Sequence, residues 1–366
     1  MKKKTGISRR TWLFIATFIL SGCTSLGPKQ LPIYQYDYNN SLNYGLNQEL
    51  LLNIVRLAYD DTPYFLTVSS ISAQMELTAS AGAGLSIATN DSIYTGNTNT
   101  YSGQAGIAYT QRPTITYAPM RGEDFTQQML RPVSLDDLNN FSSWSVARTL
   151  RVMVQEVGDL RNAENSIRPT SDTAPHYYDQ FIEFAHLFRS LQESFKVELL
   201  AVKVQDKVQI IATFKNKQDP DTRRLFNLLG ISTRYNRLIF VQSNISSISG
   251  NVIRVQTRSF LSMLYFLSKA VDIPPADRKA GLVDTTKNPD GTAFDWNEVT
   301  RGMLAVHYSK SSPKNAYVSI YYRNYWFYVA DNDQDSKKTF AMLTQLYALL
   351  AKDVGQNNHP VLTLPV

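Results

Sequence analysis

The sequence predicts an α+β protein, in which a body of antiparallel sheet and helices carries one long, protruding, amphipathic β-hairpin. From residue 71 to 87 the odd positions are apolar and the even positions are polar or glycine, the period of two that is typical of a strand. In the second half of the chain, strand-like and helix-like segments come in segregated runs, which favours α+β over a doubly wound parallel sheet. With 366 residues, the chain can also bury a sizeable core.

The N-terminus predicts export and lipidation. Residues 1–22 begin with basic side chains and continue with an apolar run over 12–20, too short to span a bilayer as a helix, which is typical of a signal peptide. The residues that follow resemble the lipobox of bacterial lipoproteins, with Cys23 as the acylated residue after Leu20, Ser21 and Gly22. Thr24 in place of aspartate predicts sorting to the outer membrane of a Gram-negative cell, where the lipid anchors the chain.

The charge balance argues against nucleic-acid binding. Of 37 Lys and Arg residues, five lie in the signal, which leaves 32 against 31 Asp and Glu in the mature chain. Nucleic-acid binding needs a concentrated basic surface, and a mature net charge near +1 gives no support for one.

Residues 23–43 mix Pro, Gly, Asn and Tyr without a period, so we predict a lipidated tether there. Residues 44–122 are predicted to form one helix followed by the long hairpin. Leu50, Leu51, Ile54 and Val55 recur at helical spacing, and Pro63 marks the exit from the helix. The hairpin arms are expected at about 67–88 and 101–118, with a turn near residue 94.

One side of this hairpin is predicted to be apolar and the other polar. Residues 77–111 contain a single charge, Asp91, in a chain that is 19% charged. A strand that crosses an outer membrane needs about 9–11 residues and alternates between lipid and water. The predicted apolar face consists of Ile71, Met75, Leu77, Leu85, Ile87, Tyr101, Ile107, Tyr109, Ile115 and Tyr117. On the polar face we expect Glu76 opposite Arg112. We expect two aromatic belts, one at the base from Tyr64, Phe65 and Tyr117 and one toward the tip from Tyr94 and Tyr101.

Downstream of the hairpin, residues 123–196 are predicted to be a helical region and residues 197–366 an α+β domain. The second of these contains a predicted hairpin at "VELLAVKVQ" and "KVQIIATFK" and further short strands. It also contains a helix at "RSFLSMLYFLSKAV", a helix at "SKKTFAMLTQLYALLAK" and an extended end at "PVLTLPV".

Catalytic chemistry has little support in the sequence. The four histidines do not lie at metal-ligand spacing, and the sole cysteine is assigned to lipid, so we expect neither a metal site nor a cofactor. The trio Asp331, Asp333 and Asp335 has the alternate spacing that opens a calcium loop but lacks its central glycine and distal glutamate; we interpret it as a helix start. No nucleophile elbow, P-loop or dinucleotide fingerprint is present, and we predict that the protein is not an enzyme.

Several phrases resemble a family of uncharacterised outer-membrane lipoproteins of Gram-negative bacteria: "LLLNIVRLAYDDTPYFLTVSSI", "QRPTITYAPMRGEDFTQQML", "YYRNYWFYVADNDQDSKKTFAMLTQLYALL" and "PVLTLPV". The resemblance spans nearly the whole mature chain. It implies a lipid-anchored envelope protein but no activity, since the family brings no assigned catalytic residue.

These patterns lead to one functional hypothesis and two alternatives. We expect a subunit of a homo-oligomeric envelope assembly, anchored in the outer membrane with its body in the periplasm, whose hairpins line an export or secretion channel. The first alternative is a monomeric periplasmic scaffold or binding lipoprotein whose hairpin packs on the soluble body. An envelope enzyme is the second.

Overall fold

A computed structural model describes residues 26–87, 99–120, 122–141, 143–163, 178–242, 250–351 and 362–365. The chain divides into two units: unit 1 comprises Met1–Pro63 and Leu130–Tyr347, and unit 2 comprises Tyr64–Met129 and Ala348–Val366. Helices and antiparallel or mixed sheets both contribute, so the predicted α+β class is confirmed.

The helices and strands are numbered separately along the chain. The helices are α1 Leu26–Ala58, α2 Glu123–Leu130, α3 Leu135–Asn140, α4 Val146–Met153, α5 Tyr178–Glu193, α6 Pro220–Leu228, α7 Phe260–Ser268, α8 Pro275–Lys279, α9 Asn297–Thr300 and α10 Gln334–Ala351. The strands are β1 Phe65–Ile87, β2 Asn99–Met120, β3 Val154–Val157, β4 Leu160–Arg161, β5 Val197–Val204, β6 Lys207–Phe214, β7 Arg237–Gln242, β8 Val252–Thr257, β9 His307–Ser309, β10 Ala316–Tyr322, β11 Tyr325–Ala330 and β12 Leu362–Pro365.

Unit 1 is built on two sheets. The larger has the strand order β4-β3-β8-β7-β6-β5 and is antiparallel except between β7 and β8, and the smaller has the order β10-β11-β9. Helix α5 buries Phe181, Phe184 and Phe188. The ring of Phe188 packs edge to face on Phe240 of β7, with the ring centres 6.0 Å apart. Burial of each such aromatic ring contributes about 1.5–3 kcal/mol, so this layer supplies much of the core.

Helix α1 is longer than the sequence predicts. The chain is already helical at Leu26, where we expected an irregular tether over residues 23–43. Its C-terminal half is fixed by the buried positions Leu50, Leu51 and Ile54. Once that half is nucleated, each added residue gains a backbone hydrogen bond at little further cost, so a segment without its own apolar period can still be helical.

The predicted helical region over 123–196 also contains strands β3 and β4, which is a second correction. Val154 and Val157 are buried and pair with Thr257 and Val255 of β8. Branched side chains at both positions favour a strand, and pairing with β8 outweighs the helical pattern of the preceding residues. Helix α4 consequently ends at Met153.

Two buried arginines connect these elements. The guanidinium of Arg258, which is 1% exposed, donates to the carbonyl oxygens of Arg151 and Val152 at 2.9 and 3.1 Å and of Ala163 at 2.7 Å. Its Cζ lies 4.0 Å from the centre of the Phe266 ring. Burial lowers the pKa of Arg258 to about 9, so the side chain is still charged at neutral pH.

Arg151 is also buried, and its guanidinium also donates to backbone carbonyl oxygens. It donates through Nη2 to the carbonyl oxygens of Val299 and Arg301, both at 2.9 Å. Because Arg258 holds the carbonyl of Arg151, the two guanidinium groups link the end of α4 to α7 and α9.

We predict that Arg258→Met lowers the free energy of unfolding by about 2–4 kcal/mol, because three buried carbonyl groups lose the guanidinium donor and only that of Arg151 keeps another side-chain donor, Asn162 Nδ2 at 2.8 Å. Urea unfolding followed by tryptophan fluorescence measures this difference. Arg223→Met on α6 is the matched control, since Arg223 is exposed, and it should change stability by about 0.5 kcal/mol or less. An equal loss in both variants would contradict the role assigned to Arg258.

Candidate functional site

The paired strands β1 and β2 of unit 2 are the first candidate for a functional site. They contain 23 and 22 residues and run antiparallel. The register is unbroken from the pair of Ser70 with Thr116 to the pair of Ile87 with Asn99. Between these pairs, every odd position of β1 lies opposite an odd position of β2. This parity is the one that a turn near residue 94 requires.

The register brings positions of the predicted apolar face into cross-strand pairs. Ile71 is opposite Ile115, Leu77 opposite Tyr109, and Leu85 opposite Tyr101. Two other positions of that face, Met75 and Ile87, have Gln111 and Asn99 as partners. Directly opposite residues share one side of a sheet, so the pairing is compatible with one apolar side. What this side faces remains a prediction.

The predicted polar pair is displaced by two residues. Glu76 is opposite Thr110, and Arg112 is opposite Gln74, so Glu76 and Arg112 are diagonal rather than direct neighbours. The expectation of direct opposition was wrong because it placed the centre of the hairpin one residue too far along the chain.

The base of the hairpin has its own small core, which corrects the predicted aromatic belt. Phe65 is 4% exposed and meets Phe125 of α2 edge to face, with the ring centres 5.9 Å apart. Met120 and Met129 are buried as well. Phe65 is therefore a core residue of unit 2, while Tyr64 is 45% exposed. A register shift between Val68 and Ser70 marks a bulge above this base.

A third strand pairs with the hairpin, which the sequence did not predict. Strand β12 runs antiparallel to β2, with Leu362 opposite Tyr117 and Pro365 opposite Thr114, so the sheet has the order β1-β2-β12. The extended conformation of "PVLTLPV" was expected, and Leu362–Pro365 are extended. Their partner is more than 240 residues distant in sequence, and a local pattern does not indicate which distant strand an extended segment pairs with.

The predicted lipidation residues Leu20, Ser21, Gly22 and Cys23 lie outside the described residues, as do His176 and His359. Within the described ranges, no group of three or more His, Cys, Asp or Glu side chains could hold a metal ion.

The aspartates near residue 333 have structural roles. Asp333 accepts hydrogen bonds from the backbone N–H groups of Asp335 and Ser336, both at 3.1 Å, and so caps the start of α10. Asp331 pairs with Lys337 at 2.8 Å, and Asp335 pairs with Arg148 at 2.6 Å. The interpretation of this trio as a helix start is confirmed.

His307 is paired with a carboxylate. Its Nδ1 lies 2.9 Å from Asp272 Oδ2, and this hydrogen bond raises the pKa of His307. Both side chains are about half exposed, and the pair joins β9 to the segment after α7. His307 therefore takes part in a hydrogen-bonded pair that connects two segments of unit 1.

A polar cluster in unit 1 holds the C-terminal end of α1, just before the chain continues into β1. Asp61 accepts hydrogen bonds from the hydroxyl of Tyr322 and, at 3.0 Å, from Nη2 of Arg323. The hydrogen bond from Tyr322 is the main cause of the lowered pKa of Asp61, and Arg323 adds to it. Arg323 and Asn324 have positive φ angles of 46° and 69°, which form the tight turn between β10 and β11.

We predict that Asp61→Asn lowers the free energy of unfolding at pH 7 by about 1 kcal/mol or less, since the group is partly exposed and its ion pair is screened. A carboxyl with a lowered folded-state pKa adds stability above its unfolded pKa and loses it as pH falls through the folded pKa. The difference between the variant and the natural protein should therefore shrink below about pH 4, as urea unfolding at a series of pH values would measure.

Asp60→Asn is the control, because it removes the same charge one residue earlier, at a φ of 57° that asparagine tolerates. Asp60 accepts a hydrogen bond from Tyr265 at 3.1 Å, which an asparagine oxygen can also accept. If Asp60→Asn is as destabilising as Asp61→Asn, or if the loss does not depend on pH, the role of the Asp61 cluster is refuted.

Among the helices in the described ranges, none has both the length and the apolar character that crossing a bilayer requires. Comparisons with protein-family models, curated proteins and solved structures give no match.

Proposed function

We propose that the protein is an outer-membrane lipoprotein that forms a homo-oligomeric envelope assembly, in which the β1–β2 hairpins of neighbouring copies pair and line an export or secretion channel. Its body faces the periplasm, and Cys23 carries the lipid anchor. The proposal describes an assembly and assigns no catalytic residue.

The length and parity of β1 and β2 are the observation that carries this proposal. Strands of 23 and 22 residues are about twice as long as an outer-membrane crossing needs. Odd positions pair with odd positions over the whole segment above the bulge, which supports one continuous apolar side and one polar side. Between residues 77 and 111 the single charge is Asp91, so few charges would have to enter the bilayer.

Backbone hydrogen bonding then requires other copies. A strand in hydrocarbon must pair all its N–H and C=O groups, because each unpaired group costs several kcal/mol. Within the described residues, β1 pairs with β2 on one edge and has no strand on the other. If hairpins stand side by side with the same orientation, β2 of one copy runs antiparallel to β1 of the next, and a closed ring leaves no open edge.

The N-terminus supports the location. A signal peptide followed by Leu20, Ser21, Gly22 and Cys23 supports export and acylation. A multiply acylated terminus anchors stably, since each buried methylene adds about 0.8 kcal/mol. The anchor would hold each copy at the inner leaflet and so favour lateral association.

The main alternative is a monomeric scaffold whose hairpin never meets lipid. Its apolar side would then pack on protein, and its edges would stay hydrated or bind a partner strand. The two proposals differ in what surrounds alternate residues of β1, and that difference can be measured.

We predict that cysteines introduced one at a time from Leu77 to Ile87 react alternately in outer membranes. Odd positions should be labelled by a lipid-soluble maleimide, and even positions by a water-soluble one, because successive strand residues face opposite sides. Labelling at all positions by the water-soluble reagent would refute insertion, whereas protection at odd positions from both reagents would indicate the soluble packed hairpin.

We also predict that Leu85→Arg blocks insertion while Ser86→Arg permits it. An arginine on the lipid side costs up to about 2–4 kcal/mol, most at the bilayer centre and less toward the interfaces, whereas the neighbouring position faces water. Protease protection of β1 and β2 in isolated outer membranes is the readout. Equal effects of the two adjacent substitutions would contradict the assigned sides.

A further inference from the structure

The outer edge of β2, on the side away from β1, is divided into two sections. Strand β12 covers the lower section, from Thr114 to Tyr117. Above it, the backbone of β2 from Asn99 to Pro113 has no strand on this side within the described residues. The proposed assembly needs this same edge for the neighbouring copy, so β12 and the neighbour would compete for it at the base.

Two prolines indicate where the sections meet. Pro365 of β12 lies opposite Thr114 and has no N–H to donate. Antiparallel strands alternate between hydrogen-bonded and non-hydrogen-bonded pairs, and we assign Pro365 and Thr114 to the non-hydrogen-bonded kind, in which the backbone groups point away from each other. Backbone groups alternate in direction along a strand, so those of Ile115 and Tyr117 then point toward β12 and bond to Leu364 and Leu362.

The same alternation applies to Pro113. Its backbone groups must also point to the outer edge, away from Ala73 of β1, and this explains how a proline fits there without disturbing the register between β1 and β2. The donor that Pro113 lacks is therefore missing from the outer edge, directly above the section that β12 covers.

We propose that β12 caps the base of this edge, so that β1 of a second copy can pair with β2 only over residues 99–112. This inference rests on the proposed function, since it names the surface through which copies of the chain assemble. The open section of 14 residues is about 46 Å long at 3.3 Å per residue, and it exceeds the 9–11 residues, roughly, that a membrane strand needs. The cap leaves this section open and closes the part of the edge that lies next to unit 2's own core.

A disulfide experiment on the full-length protein tests the cap. Two versions with different tags are coexpressed: one carries a single cysteine at an even position of β1 (Ser72, Gln74, Thr78 or Ser80), and the other carries one in β2. Thr110→Cys samples the open section, and Thr116→Cys samples the covered one. We expect disulfides between copies for Thr110→Cys to be about tenfold more abundant than for Thr116→Cys, because a disulfide requires Cα atoms within about 7 Å.

Proline substitutions in β12 supply a matched pair. Leu364→Pro removes a donor that bonds to β2, so it should release the cap and raise the yield of Thr116→Cys to that of Thr110→Cys. Thr363→Pro removes a donor that points away from β2 and should leave the yield low.

The outcomes separate the cap from the assembly. If Thr116→Cys forms disulfides as readily as Thr110→Cys with β12 intact, or if the two proline variants behave alike, the cap is refuted and the assembly stands. If no position of β2 forms a disulfide with another copy, the proposed assembly fails, and the cap fails with it.

Discussion

The open backbone edges of β1 and β2 are the constraint on which the account depends. Each residue of a strand carries a donor and an acceptor that must be paired wherever water is excluded. The hairpin pairs one edge of each strand internally, and β12 pairs four more residues of β2. The remaining edges are too long to leave dry and unpaired, so the hairpin either stays in water or is completed by another strand.

Unit 1 solves the corresponding problem within its own chain. Its sheets are packed by helices, and buried arginines satisfy carbonyl groups at places where regular pairing stops. The guanidinium of Arg258 donates to three such groups between α4 and residue 163. A charged side chain that is almost fully buried is stable here because each carbonyl oxygen contributes partial negative charge. The face of the Phe266 ring also attracts the guanidinium through a cation–π interaction. The side chains of Arg151 and Arg258 thus join backbone segments of unit 1 that are distant in sequence.

Local patterns predicted the elements that depend on local chemistry. The β5–β6 hairpin, α7 and α10 lie where periodicity places them, since each has a clear apolar stripe or alternation. The predictions that failed concern distant partners. Strand β3 resembled a helix until β8 was known to lie beside it, and Phe65 was predicted at a membrane belt because nothing in the sequence indicates that Phe125 packs on it.

The candidate site shows the same limit. The alternation of β1 predicted its parity with β2, but alternation does not fix the centre of the hairpin, and a centre one residue earlier displaces the Glu76–Arg112 pair by two residues. The pairing of β12 with β2 could not be predicted, because four residues of alternating sequence can join any open edge. The same backbone chemistry permits a second copy to join, so the proposed assembly is argued from the open edge of the sheet and not from a sequence motif.

Imaging of single particles of the full-length, lipid-anchored protein extracted from outer membranes tests the central claim most directly. The account predicts closed rings of identical subunits, with β2 of each copy hydrogen-bonded to β1 of the next. Single copies whose β1 and β2 lie packed against their own body, with no strand from another chain beside them, would contradict it.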